Sequence, residues 1–439
     1  MNRSRRLGIA PIAAAAALSM LLAACGGTSS SSGALQASAP GVTAKTITVG
    51  STQPLTGIAA PGYDEIAPAS NAYFQYVNAH GGVFGRKIVY KYLNDQYNSS
   101  ITTTDVRQLV LQDHVFAIFN GLGTPTHLAV APFINAEKVP DLFVASGCAC
   151  WNAPSSWPQT FGWQINYIRE GKILGNYVEA HFKGKKIAYF YQDDEFGLDG
   201  VKGLSDEIPA AQVVAKEPYN VAAANPAAEV GTLTAALKAS KAQVVVAFAV
   251  PAFMALLRLS ELSLSYSPTL VSSSVGSDPK TLAGLLNAFA KKSGSFGTSL
   301  IQGIITDSYL PSLGSNDSWI KLFTKIHDQY IPSLPIDGNV LYGMAVGYTF
   351  VQALLKAGRN PTRQDLVNAV NAGLPQGVSV APYAYSSSDH DGITGAFMAK
   401  VDSGVIVALG PVQVTDTTAT GAVTTDSTPQ PPAPTNGMP

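Results

Sequence analysis

The stretch Gln243-Val244-Val245-Val246-Ala247-Phe248-Ala249-Val250, followed at once by Pro251, sets the fold class. It is rich in β-branched valine and nearly free of polar side chains. A strand with one wet face would alternate, so this one reads as a parallel strand covered on both faces. Pro251 opens the next helix where its missing N–H does no harm. Outward from this point, residues 186–191, 212–215 and 269–273 read as further strands, with helices predicted over 168–183, 197–207, 227–240 and 251–264. Upstream the pattern repeats, with strands over 46–50, 87–93, 115–120 and 141–145 and helices over 64–80, 101–113 and 125–138. Strands alternating with helices of this length indicate α/β units around mostly parallel sheets.

Two βα arrays result, over 45–166 and 167–302, and neither accounts for the rest of the chain. That remainder holds a long helical stretch over 338–356 and late strands near 383–386, 396–401 and 405–411. The economical arrangement is two lobes, each completed by later elements that return to it. Open α/β sheets bind ligands at the carboxyl ends of their strands, so two lobes facing each other there would enclose a cleft. Composition agrees with a packed body: 46% of residues are hydrophobic, and only 13% are charged, about half the usual ~25%.

Arg3, Arg5 and Arg6 precede an apolar run that ends in Leu22-Ala23-Ala24-Cys25, the layout of a secretory signal over 1–24. Gly26, Gly27 and a run of serines come next. The Cys resembles the lipidated residue of a bacterial lipobox, which would anchor the exported chain through Cys25 to the outer face of the cytoplasmic membrane. Residues 25–44 then read as a flexible tether. Loss of three arginines leaves 25 basic against 29 acidic residues, and that balance argues against a nucleic-acid binder. No run after residue 24 reads as a bilayer span of roughly 20 apolar residues, which excludes a multi-pass membrane protein. The stretch 415–439 has no aromatic residue and is dominated by Thr and Pro, so disorder is expected. Cys148 and Cys150 could form a disulfide or stay as two buried thiols. A Cys-x-Cys with sparse His is too few ligands for a metal, and neither metal nor cofactor is expected.

Thr48-Val49-Gly50 with Pro54-Leu55-Thr56-Gly57, then Asn78-Ala79-His80-Gly81-Gly82-Val83-Phe84-Gly85-Arg86, resemble the opening of branched-chain amino-acid binding proteins. Gly121-Leu122-Gly123-Thr124-Pro125-Thr126, Pro140-Asp141-Leu142-Phe143-Val144-Ala145-Ser146-Gly147 and Gln192-Asp193-Asp194-Glu195-Phe196-Gly197 extend the likeness over about 46–411. These are type I periplasmic binding proteins that serve ABC importers. The resemblance implies lobe 1 over 45–166 and 303–377, lobe 2 over 167–302 and 378–414, and a three-strand hinge. It also implies a small-molecule ligand, an ABC permease with its ATPase as partner, and a monomer.

Thr124 suits an N-cap and Pro125 a first helical position, and unpaired N–H groups at such a helix start attract anions. By resemblance, the Gly123-Thr124-Pro125 loop and the Ala145-Ser146-Gly147 loop would hold a ligand carboxylate. From lobe 2, Phe196 falls where relatives carry a Tyr that packs on the ligand. Val250, or Ala249, ends a strand facing it. Ser274 falls near the position of the acid that pairs an α-ammonium, so the expected ligand has an acceptor head, an apolar body and no obligatory ammonium. Asp278, Asp193 or Asp194 could supply the missing acid. Trp151, Trp157 and Trp163 either stack on an aromatic ligand or, the more economical reading, pack the chain between lobes. Asp389-His390-Asp391-Gly392 reads as a turn. With no Gly-x-Ser-x-Gly, His-Glu-x-x-His or Walker loop, the chain does not read as an enzyme. Two functions remain, delivery of a solute to an importer or sensing through a membrane receptor.

Overall fold

Five strands make the first sheet: β1 (Thr46–Gln53), β2 (Lys87–Asn94), β3 (Ile118–Phe119), β4 (Asp141–Val144) and β5 (Thr160–Gly162). They run parallel in the order β2-β1-β3-β4-β5. The structure, a computed structural model, describes residues 34–439; the signal segment and the Cys25 lipidation site lie outside the described residues. Helices α1 (Ile66–Ala79), α2 (Ser99–Leu111), α3 (Thr124–Leu128) and α4 (Ala131–Ala136) connect these strands. The single helix expected over 125–138 is thus two short ones, broken at Ala129-Val130.

The second lobe begins with α5 (Tyr167–Phe182) and alternates through β6 (Ile187–Gln192), α6 (Glu195–Glu207), β7 (Val213–Tyr219), α7 (Pro226–Ala239), β8 (Val244–Phe248), α8 (Pro251–Ser263) and β9 (Thr269–Ser272). It continues through α9 (Pro279–Phe289), α10 (Phe296–Ile301) and β10 (Ile305–Ser308). All five residues of β8 are buried, and the strand pairs in parallel with β6 on one side and β9 on the other. That is the environment its unbroken apolar sequence demands.

The chain then returns to lobe 1 as α11 (Ser318–Tyr330), α12 (Gly338–Ala357) and α13 (Arg363–Asn371), with α1 packed along α12. It finishes on the second sheet as β11 (Gly395–Asp402), β12 (Val405–Val414) and β13 (Thr424–Thr425), in the order β13-β12-β11-β10-β9-β8-β6-β7. β10 pairs with β9 in parallel and with β11 antiparallel, so the second crossing between lobes falls after Ser308, not at 302–303. Helix α12 has the length and composition of a membrane span, contrary to the sequence expectation, but its window is 83% buried in the protein core. Residues 383–386 form no strand, only isolated bridges such as Tyr383 with Ile393.

Helices α5 and α6 touch through glycine. A Cβ on Gly171 would lie 2.5 Å from the Gly200 carbonyl oxygen, and one on Gly203 2.2 Å from that of Ile168. This contact seats α5 against the lobe, and Glu170 in its first turn is buried.

The described part of the 25–44 tether and the 415–439 tail, both expected to be mobile, are docked. Arg86 donates from Nη2 to the Gln36 carbonyl (2.8 Å) and from Nε to that of Thr43 (2.6 Å), which fixes the chain ahead of β1. At the other end, the fully buried Lys172 ammonium donates to the carbonyls of Thr418 (2.7 Å) and Gly421 (2.6 Å). Trp319 Nε1 donates to the Pro431 carbonyl (2.7 Å) and Tyr73 OH to that of Gly437 (2.9 Å). The 415–439 tail is therefore a strap from lobe 2 to lobe 1. It is held by side chains of the body bonding to tail backbone, an attachment its own composition does not reveal.

Candidate ligand-binding site

A cavity of about 350 Å³ lies between the lobes at the carboxyl ends of the strands. Lobe 1 contributes Leu122, Gly123 and Thr124 after β3, and Ala145 after β4. Lobe 2 contributes Phe196 at the start of α6, Val250 after β8, Ser274 and Val275 after β9, and Asp307 on β10. The lobes touch around it. Tyr63 OH donates to the Val275 carbonyl (3.1 Å), Gly338 N–H to Asp278 Oδ2 (2.9 Å), and Ala149 N–H to Asp199 Oδ2 (2.7 Å).

Gly123, Thr124 and Ala145 from lobe 1 and Phe196, Val250 and Ser274 from lobe 2 are thus brought together around the cavity, whereas Pro125, Ser146 and Gly147 do not line it. Ala145 exchanges backbone hydrogen bonds with Gly121 and Gly123, continuing the ladder. Successive side chains there point to opposite sides. Ser146 is 1% exposed, and its Oγ lies 2.7 Å from Thr124 Oγ1. The Gly147 carbonyl is taken by Tyr167 N–H (2.7 Å). The Pro125 carbonyl accepts from Ser99 Oγ (3.1 Å).

The anion-binding helix start is corrected too. Gly123, at φ 104°, occupies the N-cap position, Thr124 is already helical, and no side chain caps α3. The Thr124 hydroxyl is committed to Ser146, and a five-residue helix has little dipole to offer.

The largest departure concerns charge. Ser274 Oγ and N–H both donate to Glu170 Oε1 (2.7 Å each), and the same N–H also lies 3.1 Å from Asp307 Oδ1. Both acids are buried, and Glu170 Oε2 and Asp307 Oδ2 have no hydrogen-bond partner. Burial, with the adjacent Glu170 carboxylate adding to it, holds the Asp307 carboxyl well above the usual range. The acid expected to be missing at Ser274 is present through Asp307, which lines the cavity. Of the other candidates, Asp278 lines it as the N-cap of α9, and Asp194 caps α6 and binds Gln192 Nε2 (2.6 Å). Neither Asp193 nor Ala249 reaches the wall.

Aromatic side chains fill much of the remainder: Tyr63, Tyr97, Tyr167, Tyr309 and Tyr342 join Phe196. Trp163 backs this group, edge-on to Tyr342 at 4.9 Å, and donates from Nε1 to Thr349 Oγ1 (3.0 Å). Trp151 and Trp157 pack on each other at 5.9 Å, away from the cavity. Cys148 and Cys150 are joined as a disulfide. Asp391 pairs with Arg169 (3.3 Å) and accepts from Asn166 (3.0 Å), and His390 stacks on Phe161, so this turn braces the crossings. Among the described residues no group of three His, Cys, Asp or Glu is placed to hold a metal ion.

Sequence reading missed Glu170, Asp307 and the tyrosines. A strand assignment over 305–308 would have put Asp307 at a strand's carboxyl end, the position that exposed Val250.

The profile of the periplasmic binding protein family matches residues 46–405. A Leu/Ile/Val-binding protein homolog 3 from Brucella melitensis is 25% identical over 173 residues, which cover 38% of this chain and 43% of that protein's length. The crystal structure of a branched-chain amino acid ABC transporter protein from Thermus thermophilus with bound valine superposes with a TM-score of 0.70. It is 18% identical, over 84% of this chain and 96% of that one. A fatty acid ABC transporter substrate-binding protein from Thermomonospora curvata gives a TM-score of 0.68 at 22% identity, over 84% of this chain and 93% of that one. With the profile covering most of the chain and two α/β lobes around a cleft, the chain belongs to the periplasmic binding protein family, whose members are extracytoplasmic binding proteins and not enzymes.

Proposed function

We propose that the protein is an exported lipoprotein, anchored through Cys25, that captures a small, largely apolar solute between its lobes and delivers it to an ABC permease and its ATPase. The observation that carries this reading is the cavity itself, walled by both lobes and bridged by hydrogen bonds such as Tyr63 to Val275. Contacts to both lobes favour the closed form, so binding and closure are coupled. The protein acts as a monomer.

Hydrophobic amino acids, amides and aliphatic or aromatic carboxylates fit the tyrosine-rich wall. Asp307 favours those that also carry an amine, since a buried ammonium needs an anion and this one has an unsatisfied oxygen. A thermal-shift screen over these three classes tests the reading, because a solute bound only by the folded form raises the melting temperature by mass action. A hit should bind a Cys25→Ala form equally well while that form loses membrane attachment. No shift with any class would remove the proposal.

A further inference from the structure

The cavity does not end at the acid pair. Past Tyr309 it continues between the 310–313 segment and the start of β12, where Leu310, Leu313, Ile320, Ile336, Val405 and Ile406 form its wall. Ile406 stands opposite Val401 on β11, and Val401 N–H donates to the carbonyl of Ile304, three residues before Asp307. Three residues of strand span about 10 Å, and the two strand spacings from β10 to β12 add about 10 Å at right angles. The far wall is therefore beyond the reach of a leucine or isoleucine side chain anchored at Asp307.

The polar groups are not spread evenly along this length. Ser274 and Asp307 meet at one end, 3.1 Å apart. At the other, the Ser312 hydroxyl is bonded to the Ile406 carbonyl and Lys280 Nζ to that of Ile336, so that, Thr324 apart, the wall around Leu310, Leu313, Val405 and Ile406 is aliphatic. Apolar walls facing trapped water gain most when a hydrocarbon displaces it. Val405, 39% exposed, marks where the extension opens to the surface.

We propose that this extension holds an unbranched aliphatic chain, so that the solute is a small amphiphile with its polar head at Asp307 and Ser274 and a linear tail directed toward Ile406. The inference rests on the cleft being the solute site, and it names the class of solute.

Calorimetry with two probe series tests it: straight-chain 2-amino acids from norvaline to 2-aminododecanoate, and the corresponding n-alkanoates. Affinity should rise about fourfold per added methylene until the extension is full, the equivalent of ~0.8 kcal/mol per buried CH₂ at ~1.4 kcal/mol per tenfold. Whichever series binds tighter identifies the head. Leucine binding with a flat or falling series beyond it would overturn the tail while leaving the solute-binding reading intact. No binding by either series at any length would remove both. Ile406→Trp should abolish the chain-length slope, with a thermal melt confirming that the variant folds. Leu313→Phe is the milder block. A full slope in a folded variant would place the chain elsewhere and overturn the proposal.

Discussion

Glu170 and Asp307 lie in one lobe, on α5 and β10, whereas Glu65, Asp278 and Asp337 come from both. The first pair is braced by Ser274 and meets the cavity. The second group ties the helix starts of the two lobes together. Asp278 caps α9 and accepts from Gly338 N–H at the start of α12, while Asp337 caps α12. Burial raises Glu65 to about 9, helped by Asp337, and burial with Asp337 raises Asp278 to about 6. Both clusters hold protons that solvent would remove, but they report on different events.

The state that holds the proton decides each sign. Separating the lobes would return Asp278 to solvent and part it from Asp337, so an open form is expected to release protons that this form keeps. Closure is therefore favoured at low pH and weakens as pH rises from the ordinary carboxylate range, through about 6 for Asp278 and toward about 9 for Glu65. In the cavity pair an incoming ammonium stabilises ionised Asp307 and expels its proton. Affinity for an amine-bearing solute through this pair should rise with pH from the ordinary carboxylate range upward. One protein thus carries two opposing pH responses, separable by mutation.

The largest expected effect is at the cavity pair. Asp307→Asn should weaken an amine-bearing solute by roughly 2–5 kcal/mol and spare its deaminated analogue, the scale for truncating one side of a buried charge pair. Calorimetry with leucine and 4-methylpentanoate measures it, and equal loss for both would deny Asp307 its role as counterion. Next is Asp278→Ala, which removes the α9 cap and strands Gly338 N–H. It should lower stability by roughly 2 kcal/mol in denaturant titration, with little discrimination between solutes. Thr124→Val takes away the hydroxyl partner of Ser146, which keeps only the Cys148 N–H, and about 1 kcal/mol of stability or affinity should go with it. The smallest effect is Glu65→Gln, expected to flatten the alkaline fall in affinity without changing solute preference. An unaltered pH profile would show that the cross-lobe group does not govern closure.

The fold was legible wherever strands are buried on both faces, as in β8, because nothing but apolar residues survives there. It was illegible at β10, whose Thr306-Asp307-Ser308 sequence looks like a loop because Asp307 serves the cavity. Thr124 and Val250 could be placed at the cavity from their positions after strands, and Ser274 only through the family resemblance. Glu170 could not, since a glutamate in the first turn of a helix ordinarily faces solvent, and the partner that holds this one inside, Ser274, is 104 residues away. The tail escaped for a related reason: its partners, Lys172, Trp319 and Tyr73, are far away in sequence.

Closure of the lobes on a solute is the claim on which the rest depends. Small-angle scattering of the folded body, titrated with the tightest solute from the thermal-shift screen, measures it directly. The radius of gyration should fall as the solute saturates, and fall less at pH 9 than at pH 6. An unchanged radius at full saturation would contradict capture by closure.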